Sequence, residues 1–206
     1  MMTNSNNNSN LRKIAESLND DLEGENSFYF IRHGQTDANL NQVMSGGDWD
    51  VPINATGIAQ AHKAIETAYE SLAEVKVICV SPMLRAQQTA EIINAKLNLP
   101  IVVVEELREW LIGEWEAKPW GEIPDPFTKG NDPPGGETRE VFEKRAELGL
   151  RKCLQNRGPI LLVAHGGVLH ALATPLGFKS LIIDNCVFHE IYRDSAGQPW
   201  QLKLLN

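Results

Sequence analysis

Long apolar blocks recur along this chain, separated by segments of mixed polarity. "SFYFI" (27–31), "VKVICV" (75–80), "PIVVVE" (100–105) and "PILLVAH" (159–165) are nearly continuous apolar runs. Runs of that length predict strands covered on both faces. Between them, residues 55–72, 81–98 and 137–156 carry helical spacing. In the last of these Phe142, Ala146, Leu150, Cys153 and Leu154 fall on one side. Ser81 and Pro82 predict an N-cap and a first helical residue, and Gly158 followed by Pro159 predicts the stop after 137–156. "GGVLHALATPL" (166–176) predicts one more helix. "VFHEIYR" and "WQLKLL", joined by "DSAGQP", predict a closing hairpin. Strands alternating with helices define an α/β fold around one buried sheet.

Two segments depart from this rhythm. Residues 1–10 are rich in Asn and Ser, and 11–19 place Leu11, Ile14, Ala15 and Leu18 on one helical face. Together they predict an N-terminal extension (1–26) with a short helix ahead of a single domain (27–206). Residues 110–136 hold three of the five tryptophans and five prolines. That stretch is too long and irregular for an ordinary connection, and it predicts a lid over a cleft.

Composition narrows the function. The chain has 206 residues and a net charge of −8. Nucleic acid and anionic membrane surfaces call for a basic face, so neither is an expected partner. Cys79, Cys153 and Cys186 have no metal or disulfide spacing, which predicts buried thiols and a cytoplasmic protein. No apolar stretch reaches the length of a membrane span. A monomer or a homodimer is compatible with all of this.

Candidate chemistry gathers where strands end, the place where open α/β sheets bind ligands. The first strand ends in Arg32-His33-Gly34, and the second in Ser81-Pro82 with Arg85 close behind. Glu109 follows the third, and His165-Gly166-Gly167 follows the fourth. Two arginines can hold phosphate oxygens by forked hydrogen bonds. The amides opening the last helix favour an anion. One neutral imidazole can attack phosphorus, and another can hold the equatorial oxygens. A carboxyl can protonate the leaving oxygen and then take a proton from water. Such a set needs neither metal nor cofactor, because its own cations carry the charge stabilisation. Glu106 and Glu114 are alternatives to Glu109 for the carboxyl. His62, His170 and His189 are expected to pack or face solvent.

These residues resemble the histidine phosphatase superfamily, also called the phosphoglycerate-mutase-like family, over roughly residues 28–193. "RHGQT", "SGGDWDVPINATGIAQA", "SPMLRAQQTAE", "LREWLIGEWE", "PPGGET" and "LLVAHGGVLHAL" resemble its motifs in the family's order. The resemblance implies a three-layer α/β/α sandwich with a mostly parallel central sheet. It implies His33 as nucleophile, Arg32, Arg85 and His165 as the phosphate pocket, and Glu109 as acid and base. It further implies Asn39, Thr36, Ser45, Gly46 and Gly166 around a small phosphorylated metabolite. Val43 stands where members often have arginine, and Ala38 where many have tryptophan; both changes bear on the substrate.

The resulting expectation is a metal-independent phosphomonoesterase of the phosphatase branch. Its rivals are a phosphoglycerate-type mutase and a non-catalytic module that binds a phosphate ester or a protein. The few cations between 110 and 136, Lys118 and Lys129, favour hydrolysis over retention of the phosphoryl group. The intact set of five polar residues favours an enzyme over a binding module.

Overall fold

In a computed structural model of the chain, residues 26–126, 128 and 130–205 are described, so the helix expected at 11–19 lies outside the described residues. The apolar runs form β1 (Ser27–Arg32), β2 (Val77–Val80), β3 (Ile101–Val103) and β4 (Ile160–Ala164). The closing hairpin forms β5 (Phe188–Tyr192) and β6 (Gln201–Leu204). All six join one sheet in the order β3-β2-β4-β1-β5-β6. β1, β2, β3 and β4 run parallel, while β5 and β6 add on antiparallel beside β1. The mostly parallel α/β architecture is therefore present.

Side chains along each strand divide between two cores, as the pleat requires. Phe28, Phe30, Cys79, Leu162 and Ala164 face one side with the helices α4 (Arg139–Leu154) and α5 (Gly166–Ala173). Tyr29, Ile31, Ile78, Leu161 and Val163 face the other with α2 (Ala55–Ala68) and α3 (Leu84–Leu97). A short helix, α1 (Asp37–Leu40), follows β1 directly. Cys79, Cys153 and Cys186 are free and buried, as expected from their spacing.

Burial on both faces holds at the centre and fails at the edges. β2 and β4 are buried at every position, whereas β3 and β6 are exposed throughout. An apolar run cannot say which strand will lie at an edge, because edge position is set by topology. A second correction concerns Ser81. α3 begins at Leu84 with Met83 in the N-cap position, so Ser81 does not cap it. Likewise α4 closes at Gln155, and Gly158, with φ of +79°, serves the turn beyond.

Parallel pairing fixes the site before any side chain is considered. Arg32 lies level with Ala164, and the His33 amide donates to the Ala164 carbonyl at 3.0 Å. The Ser81 amide donates to the Val163 carbonyl at 3.0 Å. Residues 32–33, 81 and 165 are thus brought to one rim. If the central strands carry this frame, Leu162→Ala should destabilise the fold by about 2–5 kcal/mol in urea titrations. Leu202→Ala, on an exposed edge, should cost less than about 1 kcal/mol. Equal effects would contradict the burial pattern.

Candidate active site

His33 and His165 meet at the rim edge to face, with ring centroids 5.2 Å apart. Both are buried, as is Arg85, which ranks among the largest fully buried side chains. His33 Nδ1 lies 2.8 Å from the Gly34 carbonyl oxygen. A carbonyl only accepts, so Nδ1 carries the ring's proton and Nε2 keeps a bare lone pair. Burial pushes the pKa of His33 well below the ordinary 6.5, and the charges of Arg85 and then Arg32 push the same way. Burial also lowers His165, followed by Arg85, His33, Arg32 and Arg145. Two neutral imidazoles therefore sit beside two cations.

The arginines reach this space from different elements. Arg32 ends β1, and its Nη1 donates to the Ile183 carbonyl at 3.0 Å. Arg85 lies in the first turn of α3, and its Nη2 donates to the Gly46 carbonyl at 2.8 Å. Burial lowers both guanidinium pKa values, and Glu109 is the leading opposing charge in each case. Arg32 Nε, Arg85 Nε and His165 Nδ1 are buried with no hydrogen-bond partner among the described residues. Three polar nitrogens of one cluster thus lie buried with hydrogen-bonding capacity that the described residues leave unused.

Glu109 is the carboxylate that reaches the cluster. Its Oε1 accepts from the Trp110 amide at 2.9 Å and its Oε2 from the Gly167 amide at 3.1 Å. A Cβ at Gly167 would lie 2.3 Å from Glu109 Oε1, so any larger residue there would displace the carboxylate. The Gly167 N–H, read from sequence as a donor for an anionic ligand, is thus engaged by the protein's own carboxylate. Glu106 instead pairs with Lys152 at 2.5 Å, which lowers its pKa, and Glu114 is exposed.

A surrounding set of hydrogen bonds holds these groups, and sequence reasoning assigns none of its members a role. Arg145 donates to the carbonyls of Glu106, Arg108 and Glu109, and it pairs with Glu137 at 2.6 Å. Glu137 also accepts from the Leu111 amide. Thr89 accepts from the Gly34 amide and donates to the Arg85 carbonyl, linking β1's exit to α3. Asn185 donates to the His33 carbonyl at 2.7 Å. Thr89 and Glu137 lie inside "SPMLRAQQTAE" and "PPGGET", which is the one signal that could have found them. Arg145 and Asn185 emerge only when separate elements meet.

A cavity of about 390 Å³ reaches the edge of the cluster at Arg32 and Glu109. Arg32, Asn39, Ser45, Gly46, Glu109 and Gly166 contribute to its wall, while His33, Arg85 and His165 lie outside that wall. Thr36 does not line it either. Its hydroxyl accepts from the Asn39 amide at 3.1 Å and caps α1, which carries Asn39. His170, read as packing or solvated, lines the cavity instead. The 110–136 segment is partly core and partly wall. Trp110 and Trp115 are buried, whereas Trp120 is 45% exposed and faces the cavity. The Trp120 amide donates to the Gln42 carbonyl and the Met44 amide to the Lys118 carbonyl, which zips this segment to residues 42–44.

An α/β sandwich with paired histidines and arginines at the ends of its parallel strands defines a phosphoglycerate-mutase-like fold. The chain belongs to the histidine phosphatase superfamily (branch 1), whose family model matches residues 28–206. It is 36% identical to the uncharacterized phosphatase PhoE of Bacillus subtilis (strain 168), over 85% of this chain and 92% of that protein. It is 31% identical to the adenosylcobalamin/alpha-ribazole phosphatase of Escherichia coli (strain K12), over 72% of this chain and 77% of that one. The crystal structure of a phosphoglycerate mutase from Thermus thermophilus superposes with a TM-score of 0.69 at 26% identity, covering 87% of this chain and 98% of the other. The protein is thus an enzyme-family member with phosphatase and phosphoglycerate-mutase-like relatives. No helix among the described residues is long and apolar enough to cross a membrane.

The neutral histidines make stability pH-dependent. Unfolded imidazoles bind protons as pH falls below about 6.5, whereas folded His33 and His165 resist until well below it. The unfolded state then holds more protons, so stability is fully present above that value and is lost as pH falls through the window beneath it. Urea midpoints should fall as pH is lowered from above to below about 6.5, and less steeply in His165→Gln. An unchanged slope in the variant would contradict a neutral buried His165.

Proposed function

We propose that the protein hydrolyses phosphate monoesters through a phosphohistidine on His33, with no metal in the reaction. The observation that carries this reading is the bare Nε2 of a neutral His33, set by the 2.8 Å contact between Nδ1 and the Gly34 carbonyl. In the first step Nε2 attacks phosphorus, the bond to the ester oxygen breaks, and Glu109 hands the departing alcohol the proton that the ester's monoanion brings in. In the second, water attacks phosphorus, the P–N bond breaks, and the Glu109 carboxylate takes the water's proton. Inorganic phosphate and neutral His33 result. Arg32, Arg85 and His165 stabilise the equatorial oxygens, which carry more charge in the transition state than in the bound ester.

The cavity supports hydrolysis of a small metabolite with a largely apolar alcohol. Its polar wall residues include Arg32, Asn39, Glu109, Asp125 and His170, but Val43, Met44, Ile112, Trp120, Ile123 and Leu181 give it a mainly apolar lining. Val43, at a position where members often carry arginine, brings no charge to the wall, and Lys118 is not part of it. A mutase must retain a substrate with a second anionic group and exclude water from the phosphoenzyme. The wall's composition favours release instead.

Turnover is read as phosphate release. Naphthyl and phenyl phosphate should exceed phosphoglycerate in kcat/KM, and a chelator should leave the rates unchanged. Arg85→Ala should lower kcat/KM about a hundredfold or more, as loss of a preorganised donor does. Glu109→Gln should slow an alkyl phosphate far more than nitrophenyl phosphate, since nitrophenolate departs with little protonation. Isomerisation of a phosphoglycerate without phosphate release would overturn the reading in favour of a mutase. Activity lost to chelator and restored by a divalent ion would overturn the metal-free step.

A further inference from the structure

Ser81 is fully buried, and its hydroxyl makes two contacts. The oxygen lies 3.3 Å from the Met83 amide nitrogen and 2.7 Å from His165 Nε2. The Met83 N–H can only donate, so Ser81 Oγ accepts there. The hydroxyl has a single proton to give, and His165 Nε2 is its one acceptor among these contacts. If Nε2 carried a proton instead, Oγ would accept twice, and its own buried O–H would have nowhere to go. Full satisfaction therefore requires a bare Nε2 on His165, with the ring proton on Nδ1.

That assignment matters because Nδ1 is the nitrogen left to the site. It is buried without a partner among the described residues, on a ring facing His33 and under the charge of Arg85. With the proton on Nδ1, His165 offers a hydrogen-bond donor to an anion while remaining neutral. With the proton on Nε2, the same ring would present a lone pair to that anion and repel it. We propose that Ser81 is a positioning residue that fixes His165 in its Nδ1–H tautomer, so that the imidazole donates to the transferring phosphoryl group. The two histidines then have their protons fixed by different partners for opposite tasks. A backbone carbonyl holds His33 as the lone-pair donor, and a serine hydroxyl holds His165 as the hydrogen-bond donor.

The kinetic part rests on the phosphatase reading above, while the tautomer itself does not. Nitrogen NMR of isotope-labelled histidine separates a protonated from a bare ring nitrogen. In the wild-type protein at neutral pH, His165 should show protonated Nδ1 and bare Nε2. In Ser81→Ala the Nε2–H form should become populated, because the hydroxyl that requires a bare Nε2 is gone. Turnover should then fall on the order of a hundredfold in kcat with KM little changed, since the donor acts on charge that develops in the transition state. Ser81→Thr, which keeps the hydroxyl, should restore the Nδ1–H signature and most of kcat. A wild-type His165 protonated on Nε2 would overturn the proposal, even if the Ala variant failed to fold. So would an Ala variant that keeps the wild-type tautomer, or one whose loss lies wholly in stability. If no ester is turned over but the tautomer shifts as expected, the positioning role stands and the hydrolytic reading fails.

Discussion

Two guanidinium groups and two imidazoles occupy one buried space, and they coexist only because the imidazoles are neutral. Protonating either ring would add a third cation to a site with little water to screen it. Burial and the neighbouring charges of Arg85 and Arg32 both push His33 and His165 toward the neutral form. Glu109 offsets part of the cationic charge, since it is the leading opposing charge on both Arg32 and Arg85. The fold's energetic problem, holding Arg32 and Arg85 together, is also its functional resource. An anion that entered would meet donors already fixed in place.

The parallel sheet makes that arrangement possible. Arg32 ends β1 and His33 follows it, His165 follows β4, and Ser81 follows β2; these strands are neighbours in register. No loop has to search for the geometry. The less regular partners are tied in by hydrogen bonds. Thr89 joins Gly34 to the helix that carries Arg85, and Arg145 with Glu137 braces the backbone that carries Glu109.

Much of this is legible in the sequence because strand ends announce themselves. A continuous apolar run that stops at Arg32-His33 or His165-Gly166 marks both the strand and its exit, and the order of elements brings the exits together. Edge position is not legible: "IVV" at 101–103 is as apolar as "LLV" at 161–163, yet one lies on the sheet's rim and the other at its centre. Ser81 misleads for a local reason. Ser-Pro is a strong helix-start signal, and only the approach of His165 from β4 reveals the other use of its hydroxyl. Spacing cannot tell Glu109 from Glu106 or Glu114. Pairing of Glu106 with Lys152 across 46 residues, and the N-terminus of α5 meeting Glu109, are tertiary events. His170 reaches the cavity for the same reason.

The proposed reaction turns on one atom, Nε2 of His33. Rapid mixing of the protein with nitrophenyl phosphate, stopped by an alkaline denaturing quench that preserves phosphohistidine, tests it directly. Peptide mapping and phosphorus NMR should place the phosphoryl group on His33, on Nε2 rather than Nδ1, because Nδ1 is held by the Gly34 carbonyl. A burst of nitrophenol with the label on another residue, or on Nδ1 of His33, would contradict the account, as would turnover retained in His33→Ala.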